Sequence, residues 1–457
     1  MTGTVTNIVT GGATDLAETT IRFSGRVQDL SSMNRRALVD RATSADPVVR
    51  ERAAAIIADV RARGDTALVE MALRYDGATL DSLEISERIC RAALDALEVP
   101  VRRAMERAAA NIDRAHRAAL PSATECETEP GCIVGRRPDP LRRVGIYAPG
   151  GRAAYPSSVL MGAIPARVAR VGETVLCSPA RSDGRPSTIV LAAAALAGVD
   201  RVFAIGGAGA IAAMAYGTET VPRVDRIVGP GNAYVAAAKL LVTGIVGIDA
   251  PAGPSELLVI ADDSCDPRRV ALEMLAQAEH DPSACVLAVV VGEGVATQLR
   301  SAIETAMARQ PRRDIVAAAL AANGGVLVAG GLDEAIAFAN DYAPEHLLIA
   351  ARNENAILDR CRNAGTIFIG ASNSVSFGDY LTGANHVLPT GGLARSYSGL
   401  SVLDFIRWTT YQRVSPSAAA ALATDTAAFA EAEDLPGHAL AARAAGSVAG
   451  SVAGGVL

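Results

Sequence analysis

The sequence predicts an α/β fold: two Rossmann-like parallel α/β domains with an N-terminal helical segment and a C-terminal helical dimerisation arm. Three observations carry this reading. From Arg143 onward, short β-branched runs alternate with helical stretches, as in a parallel sheet with crossover helices. The alternation occurs twice, with a break at the loop Asp249–Ser255. Half of the 457 residues are hydrophobic and 20% are charged, so a large core can be buried.

The elements follow in order. Residues 1–140 read as helical. Pro47–Arg63 repeats apolar residues at helical spacing and stops at Gly64; Asp65 is placed to cap the next helix, which stops near Gly77. Ser86 opens a third helix and Val101–Ala119 forms a fourth, with His116 read as a solvated helix residue between Arg114 and Arg117. The first α/β domain, 141–253, has strands at Val144–Tyr147, Thr174–Cys177, Val202–Ile205 and Arg226–Val228. The second, 254–390, has Glu256–Ala261, Cys285–Val291, Val326–Val328, Leu347–Ile349 and Thr366–Ile369. Strand signals then thin out. Leu403–Val414 and Ser417–Glu433 read as helices of an arm spanning 391–443 that packs on a second copy of the chain. The repeated Ser-Val-Ala-Gly of 444–457 reads as a disordered tail.

Composition excludes several classes. A net charge of −6 argues against a general nucleic-acid binder, and the basic residues are all Arg except Lys239. One Trp, nine Tyr and seven Phe are too few for base-stacking platforms. No apolar run approaches membrane-spanning length, and the N-terminus lacks a basic-then-apolar signal pattern. Seven Cys without a C-x-x-C pair point to a reduced, cytoplasmic protein.

The chemistry-bearing residues gather around four of the five His. Gln277 and His280 are three apart at the end of a helix, hence on one face. His is a common zinc ligand and Gln a weak one; a helix-terminal His favoured by the macrodipole is the plainer explanation. Glu345 and His346 stand side by side at the start of a strand, a pairing suited to acid–base work, though Pro-Glu-His is also an ordinary turn. Asp379 and His386 share a Gly-rich loop; Glu433 and His438 flank the break Pro436-Gly437, where a solvated turn is the plainer reading. Gly207-x-Gly209-x-x-Ala212 follows a strand and opens a helix, a weak match to the dinucleotide fingerprint whose acidic residue is missing. Cys177 could serve an aldehyde oxidiser as nucleophile, but strand-end Cys are usually just buried.

Several longer segments resemble the L-histidinol dehydrogenase family. The most specific is IDAPAGPSELLVIADDSCDPRRVALEMLAQAEH, Ile248–His280. IYAPGGRAAYPSSVLM, GTETVPRVDRIVGPGNAYV, YAPEHL, FGDYLTGANHVLPT and YSGLSVLDF also match, in order, across about residues 40–440.

The resemblance implies a zinc-dependent, NAD-linked, four-electron oxidation of L-histidinol through L-histidinal to L-histidine, in histidine biosynthesis. It implies one zinc per subunit on Gln277, His280, Asp379 and His438, with His438 supplied by the partner of a homodimer with shared active sites. It implies that Glu345 and His346 are catalytic, and that Ser255, His346, His386 and Glu433 surround the substrate with the metal ligands. Tyr147, Gly209 and Asn232 match cofactor positions. Two departures stand out: Gly209 replaces the Gln usual in the family, and Arg443 comes early after His438. A relative oxidising another small alcohol, such as a sulfonated diol, and a non-catalytic zinc-binding paralogue are the competing readings. Neither nucleic acid nor membrane is an expected partner.

Overall fold

In the strand Glu256–Ala261, Leu257, Val259 and Ala261 face one side of the sheet, and Leu258 and Ile260 the other. Both faces are covered, so the whole strand is buried and reads as a continuous apolar run after its first residue. This strand is central to one of two units of the computed structural model, which describes residues 21–41, 46–150 and 154–452. The first unit draws on Met1–Ala58, Pro230–Leu241 and Ala250–Gly399; the second on Asp59–Gly229, Val242–Asp249 and Leu400–Leu457.

The first unit's sheet has the order Phe23–Arg26, Gly324–Ala329, Cys285–Val291, Glu256–Ala261, His346–Ala350, Thr366–Ile369, all parallel. Pro267–Ala278, Glu293–Met307 and Arg313–Asn323 pack on one face through Val270, Met274, Leu299, Ile303 and Leu320. Leu332–Tyr342 covers the other through Ile336, Phe338 and Ala339. Burying one Val, Leu or Ile stabilises by about 1.5–3 kcal/mol. The two apolar faces therefore anchor the strands, and the polar residues at the strand starts are carried into place.

In the second unit the sheet order is Glu84–Ile85, Arg201–Ala204, Glu173–Ser178, Arg143–Tyr147, Arg226–Val228, Gly247–Ile248; only the pairing of Glu84–Ile85 with Arg201–Ala204 is antiparallel. Helices Pro156–Val168, Thr188–Ala197 and Gly207–Tyr216 are Ala-rich and largely buried. A further antiparallel sheet has the order Ile406–Val414, Cys132–Pro140, Thr124–Glu129. Thr124–Glu129 is exposed throughout, and its alternating Glu residues discourage edge-to-edge pairing. Helices Pro416–Ala432 and Pro436–Val452 form a hairpin.

The α/β reading and the predicted parallel strands hold, and a helical C-terminal segment is present. Several local readings need correction. The N-terminal segment is not wholly helical: Phe23–Arg26 and Glu84–Ile85 are edge strands, and Thr124–Pro140 contains a hairpin. These were hidden because their exposed residues lack apolar periodicity. Leu403–Val414 is not a helix; Val402–Phe405 is a short 3-10 turn, and Ile406–Val414 is a strand whose Ile, Trp, Thr and Tyr favour a pleated surface. Asp65 is not the cap. Gly64 holds that position with φ 54°, and the Asp65 carboxylate accepts a hydrogen bond from the Thr218 hydroxyl. His116 is not solvated but buried, its Nδ1 accepting from the Val402 N–H at 3.3 Å. The tail reading fails in part: helix Pro436–Val452 occupies much of 444–457, and residues 453–457 lie outside the described residues.

Candidate active site

In the first unit the sequence-derived residues meet at the amino ends of the strands. Glu256 and His346 are the first residues of their strands, which pair in register Leu257 to His346. Gln277 and His280 stand at the end of Pro267–Ala278, a helix capped at its start by Asp266 accepting from the Arg268 N–H. Ligand sites in open α/β sheets usually lie at the carboxyl ends of strands, so this placement departs from that rule.

His346 is buried, and its Nδ1 lies 2.9 Å from the main-chain oxygen of Glu256. A carbonyl only accepts, so Nδ1 carries a proton, and in the neutral ring the lone pair sits on Nε2. Nε2 is buried and 3.7 Å from Asp379 Oδ1, too far for a good hydrogen bond. The Glu345 carboxylate accepts from the Glu256 N–H at 2.7 Å and lies 3.4 Å from His346 Nδ1. His386 donates from Nδ1 to the Asp379 carbonyl at 2.9 Å.

The charges are strongly coupled. Burial raises the pKa of Glu345, opposed by the adjacent His346. Burial works to lower His346, but the carboxylates of Glu345 and Asp379 win and raise it. Burial disfavours ionised Asp379 too, yet His346, with His386 and His280 around it, holds its pKa below the usual carboxylate range. His386 is lowered by burial, against the pull of Asp379.

Ionised Asp379 near His280, with the Gln277 amide one helical turn earlier, is a mixed oxygen–nitrogen donor set of the kind that suits zinc or manganese. Among the described residues, no group of three His, Cys, Asp or Glu is arranged to hold a metal ion within this one chain. By donor chemistry alone, these side chains suit part of a metal shell. Ser255 directly precedes the strand, its carbonyl accepting from the Cys285 N–H.

Glu433 and His438 belong to the second unit and are exposed. Glu433 ends the helix Pro416–Ala432, Asp434 turns the chain with φ 58°, and His438 is the third residue of the next helix. Arg443 pairs across this hairpin with Glu431 at 2.7 Å.

The second unit also holds two of the cofactor candidates. Strand Arg201–Ala204 leads through Gly206 and Gly207, the latter at φ 61°, into helix Gly207–Tyr216. This is the strand–turn–helix context that a dinucleotide turn needs. Tyr147 ends its strand, is buried, and accepts from the Gly207 N–H at 3.0 Å; burial pushes its hydroxyl up to about 12. Gly209 is buried, and a Cβ there would lie 3.1 Å from Met71 Sδ and 3.3 Å from Leu68. Asn232, in the first unit, caps helix Ala233–Leu241, its side chain accepting from Tyr234 and Val235 N–H groups at 3.0 and 3.2 Å. Cys177 is fully buried and burial pushes its thiol up, so the nucleophile reading is discarded.

Four neighbours escaped the sequence reading. Glu256 lies against Glu345, Arg41 joins Glu256 to the Tyr342 carbonyl, and Asp76 lies near Tyr147 and Gly206. Glu256 was visible as a lone carboxylate heading an apolar strand; Arg41 gave no signal, being far away in sequence.

The family model described as histidinol dehydrogenase matches residues 39–445. The chain belongs to the histidinol dehydrogenase family. The histidinol dehydrogenase of Methanosarcina mazei is 45% identical over 421 residues, covering 92% of this chain and 96% of that protein. That of Ralstonia nicotianae is 48% identical over 409 residues, covering 87% and 92%. The crystal structure of histidinol dehydrogenase from Elizabethkingia anophelis superposes with a TM-score of 0.88 at 34% identity, covering 93% of this chain and 98% of that one. No helix among the described residues is long and apolar enough to cross a membrane.

Proposed function

We propose that this chain oxidises L-histidinol to L-histidine through L-histidinal, using zinc and NAD, as a homodimer with shared active sites. The observation that carries the reading is the Glu345–His346 pair. The main-chain carbonyl of Glu256 holds Nδ1–H, so the neutral ring turns Nε2 toward Asp379, which has His280 near it, in a chain of the histidinol dehydrogenase family.

Zinc, when bound, orients the substrate's imidazole and amine, and NAD accepts the hydride of each oxidation. Gln277, His280 and Asp379 would hold the metal, with the partner subunit's His438 completing the set. Exposure of His438 and Glu433, and of Phe429 and Leu440 on the same hairpin, supports an arm that reaches another copy. His346 takes the alcohol proton through Nε2 in the first oxidation. Glu345 then takes a proton from the water that adds to the aldehyde, and His346 takes the hydroxyl proton of the hydrate in the second oxidation. Burial of both residues keeps bulk water from the reacting atoms. Tyr147, Gly209 and Asn232 are the proposed cofactor contacts.

The test is NADH formation by purified protein from L-histidinol and, separately, from 2,3-dihydroxypropanesulfonate. Two NADH per histidinol with no turnover of the sulfonate supports the proposal; the opposite preference refutes it.

A further inference from the structure

Both reacting side chains hang on the main chain of one residue. Glu256 accepts from His346 Nδ1 through its carbonyl at 2.9 Å and donates its N–H to the Glu345 carboxylate at 2.7 Å. Its own side chain points elsewhere. Along the paired strands, Glu256 shares the face of Leu258 and Ile260, whereas His346 shares that of Leu348 and Ala350.

On that opposite face the Glu256 carboxylate, 2% exposed, is gripped by four donors. They are Arg41 Nε at 2.9 Å, Arg41 Nη2 at 3.0 Å, Gly391 N at 2.8 Å and Glu345 N at 3.3 Å. Arg41 is equally fixed. It donates to the carbonyls of Leu38 and Tyr342, the latter at 2.9 Å, and lies 3.4 Å over the Tyr342 ring. A two-pronged Arg–carboxylate pair sets the plane of both groups, which a lysine point charge does not.

We infer that Arg41 is a positioning residue for the reaction: by clamping the Glu256 side chain it fixes that residue's main-chain N–H and C=O, which aim Glu345 and His346. The inference rests on reading those two residues as the reacting pair. Arg41 makes no hydrogen bond to His346, so its effect passes through the groups it holds, the Glu256 carboxylate and, three residues before Glu345, the Tyr342 carbonyl.

Arg41→Lys keeps the charge and loses the fork. In steady-state L-histidinol oxidation, kcat should fall about 10- to 100-fold, the usual result of a small misplacement, while KM changes by less than about threefold. Arg41→Met combined with Glu256→Gln removes both buried charges but keeps the main-chain contacts. Its melting temperature should stay near that of wild type while kcat remains low. Recovery of kcat together with stability would show a merely structural pair and overturn the inference, as would wild-type kcat in Arg41→Lys. The protein has five His, so ring nitrogens can be followed by ¹⁵N labelling of histidine. The His346 nitrogens should shift in Arg41→Lys, and unchanged signals count against the inference. This readout needs no turnover. If wild-type protein fails to oxidise histidinol, the functional reading falls, and the nitrogen signals still decide whether Arg41 positions His346.

Discussion

His346 Nδ1 and the Glu256 carbonyl, 2.9 Å apart, make a one-way hydrogen bond that fixes the imidazole tautomer. The same contact separates holding the ring from using it. Asn at position 346 would offer its amide N–H in place of Nδ1–H but has nothing in place of Nε2. His346→Asn should therefore fold with a melting temperature close to that of wild type and lose about 10²–10⁴-fold in kcat. Steady-state rates and a thermal melt on the same sample check this. Retained turnover would remove His346 as the base.

Glu345 carries a separate prediction. A Gln there still accepts from the Glu256 N–H, so the fold survives, but it cannot take a proton from water. Glu345→Gln should slow histidinal oxidation by about 10²–10⁴-fold and histidinol oxidation much less. Equal slowing of the two substrates would refute this division of labour.

Much of this site was legible in the sequence, in pieces. Glu345-His346 was visible because a polar pair heads an apolar strand, and Gln277 and His280 because helical spacing puts them on one face. The Arg41–Glu256 clamp was not, because its partners are 215 residues apart and nothing local marks them. In the fold, parallel strands buried on both faces announced themselves as apolar runs. The hairpin Thr124–Pro140 and its partner Ile406–Val414 did not. One face is solvated, the edge strand has no buried residue, and pairing with Cys132–Pro140 decides the conformation of 406–414.

Asp76 makes stability depend on pH. Burial raises its carboxyl to about 6, above the ordinary 3.8. A carboxyl raised on folding supports the fold below its unfolded pKa, and that support is lost as pH climbs through about 6. At neutral pH the ionised, half-buried group is therefore a cost, on the order of 1 kcal/mol after solvent screening. Asp76→Asn should melt higher than wild type at pH 7.5, with the gap closing toward pH 4. A gap independent of pH would assign the effect elsewhere.

Gly209 concerns packing. A side chain at 209 meets Met71 Sδ and Leu68 first. Gly209→Gln, which restores the residue usual in the family, should cost about 1–3 kcal/mol from overpacking, partly offset by about 1 kcal/mol of helix propensity. Adding Met71→Ala should relieve the crowding and bind NAD more tightly than either single variant, by calorimetric titration. Full tightening in Gly209→Gln alone would show that Met71 is not in the way.

The shared site yields a complementation test. His438 and Glu433 stand exposed on the C-terminal hairpin, while Gln277, His280 and Asp379 belong to the first unit. If each metal takes three ligands from one subunit and His438 from its partner, two different ligand losses can cancel. His438→Ala and His280→Ala alone should each be nearly inactive, because a lost ligand weakens both metal retention and substrate placement. Unfolded and refolded together, the two variants form mixed dimers. In a mixed dimer, the subunit carrying His438→Ala keeps its own His280 and receives an intact His438 from its partner; the other site carries both defects. Random pairing makes about half the dimers mixed, so about a quarter of all sites should regain metal and activity. Zinc content measured on the same mixture should rise in step with turnover. If the mixture recovers nothing beyond the separate variants while wild type refolds well, His438 serves its own chain and the hairpin has another role.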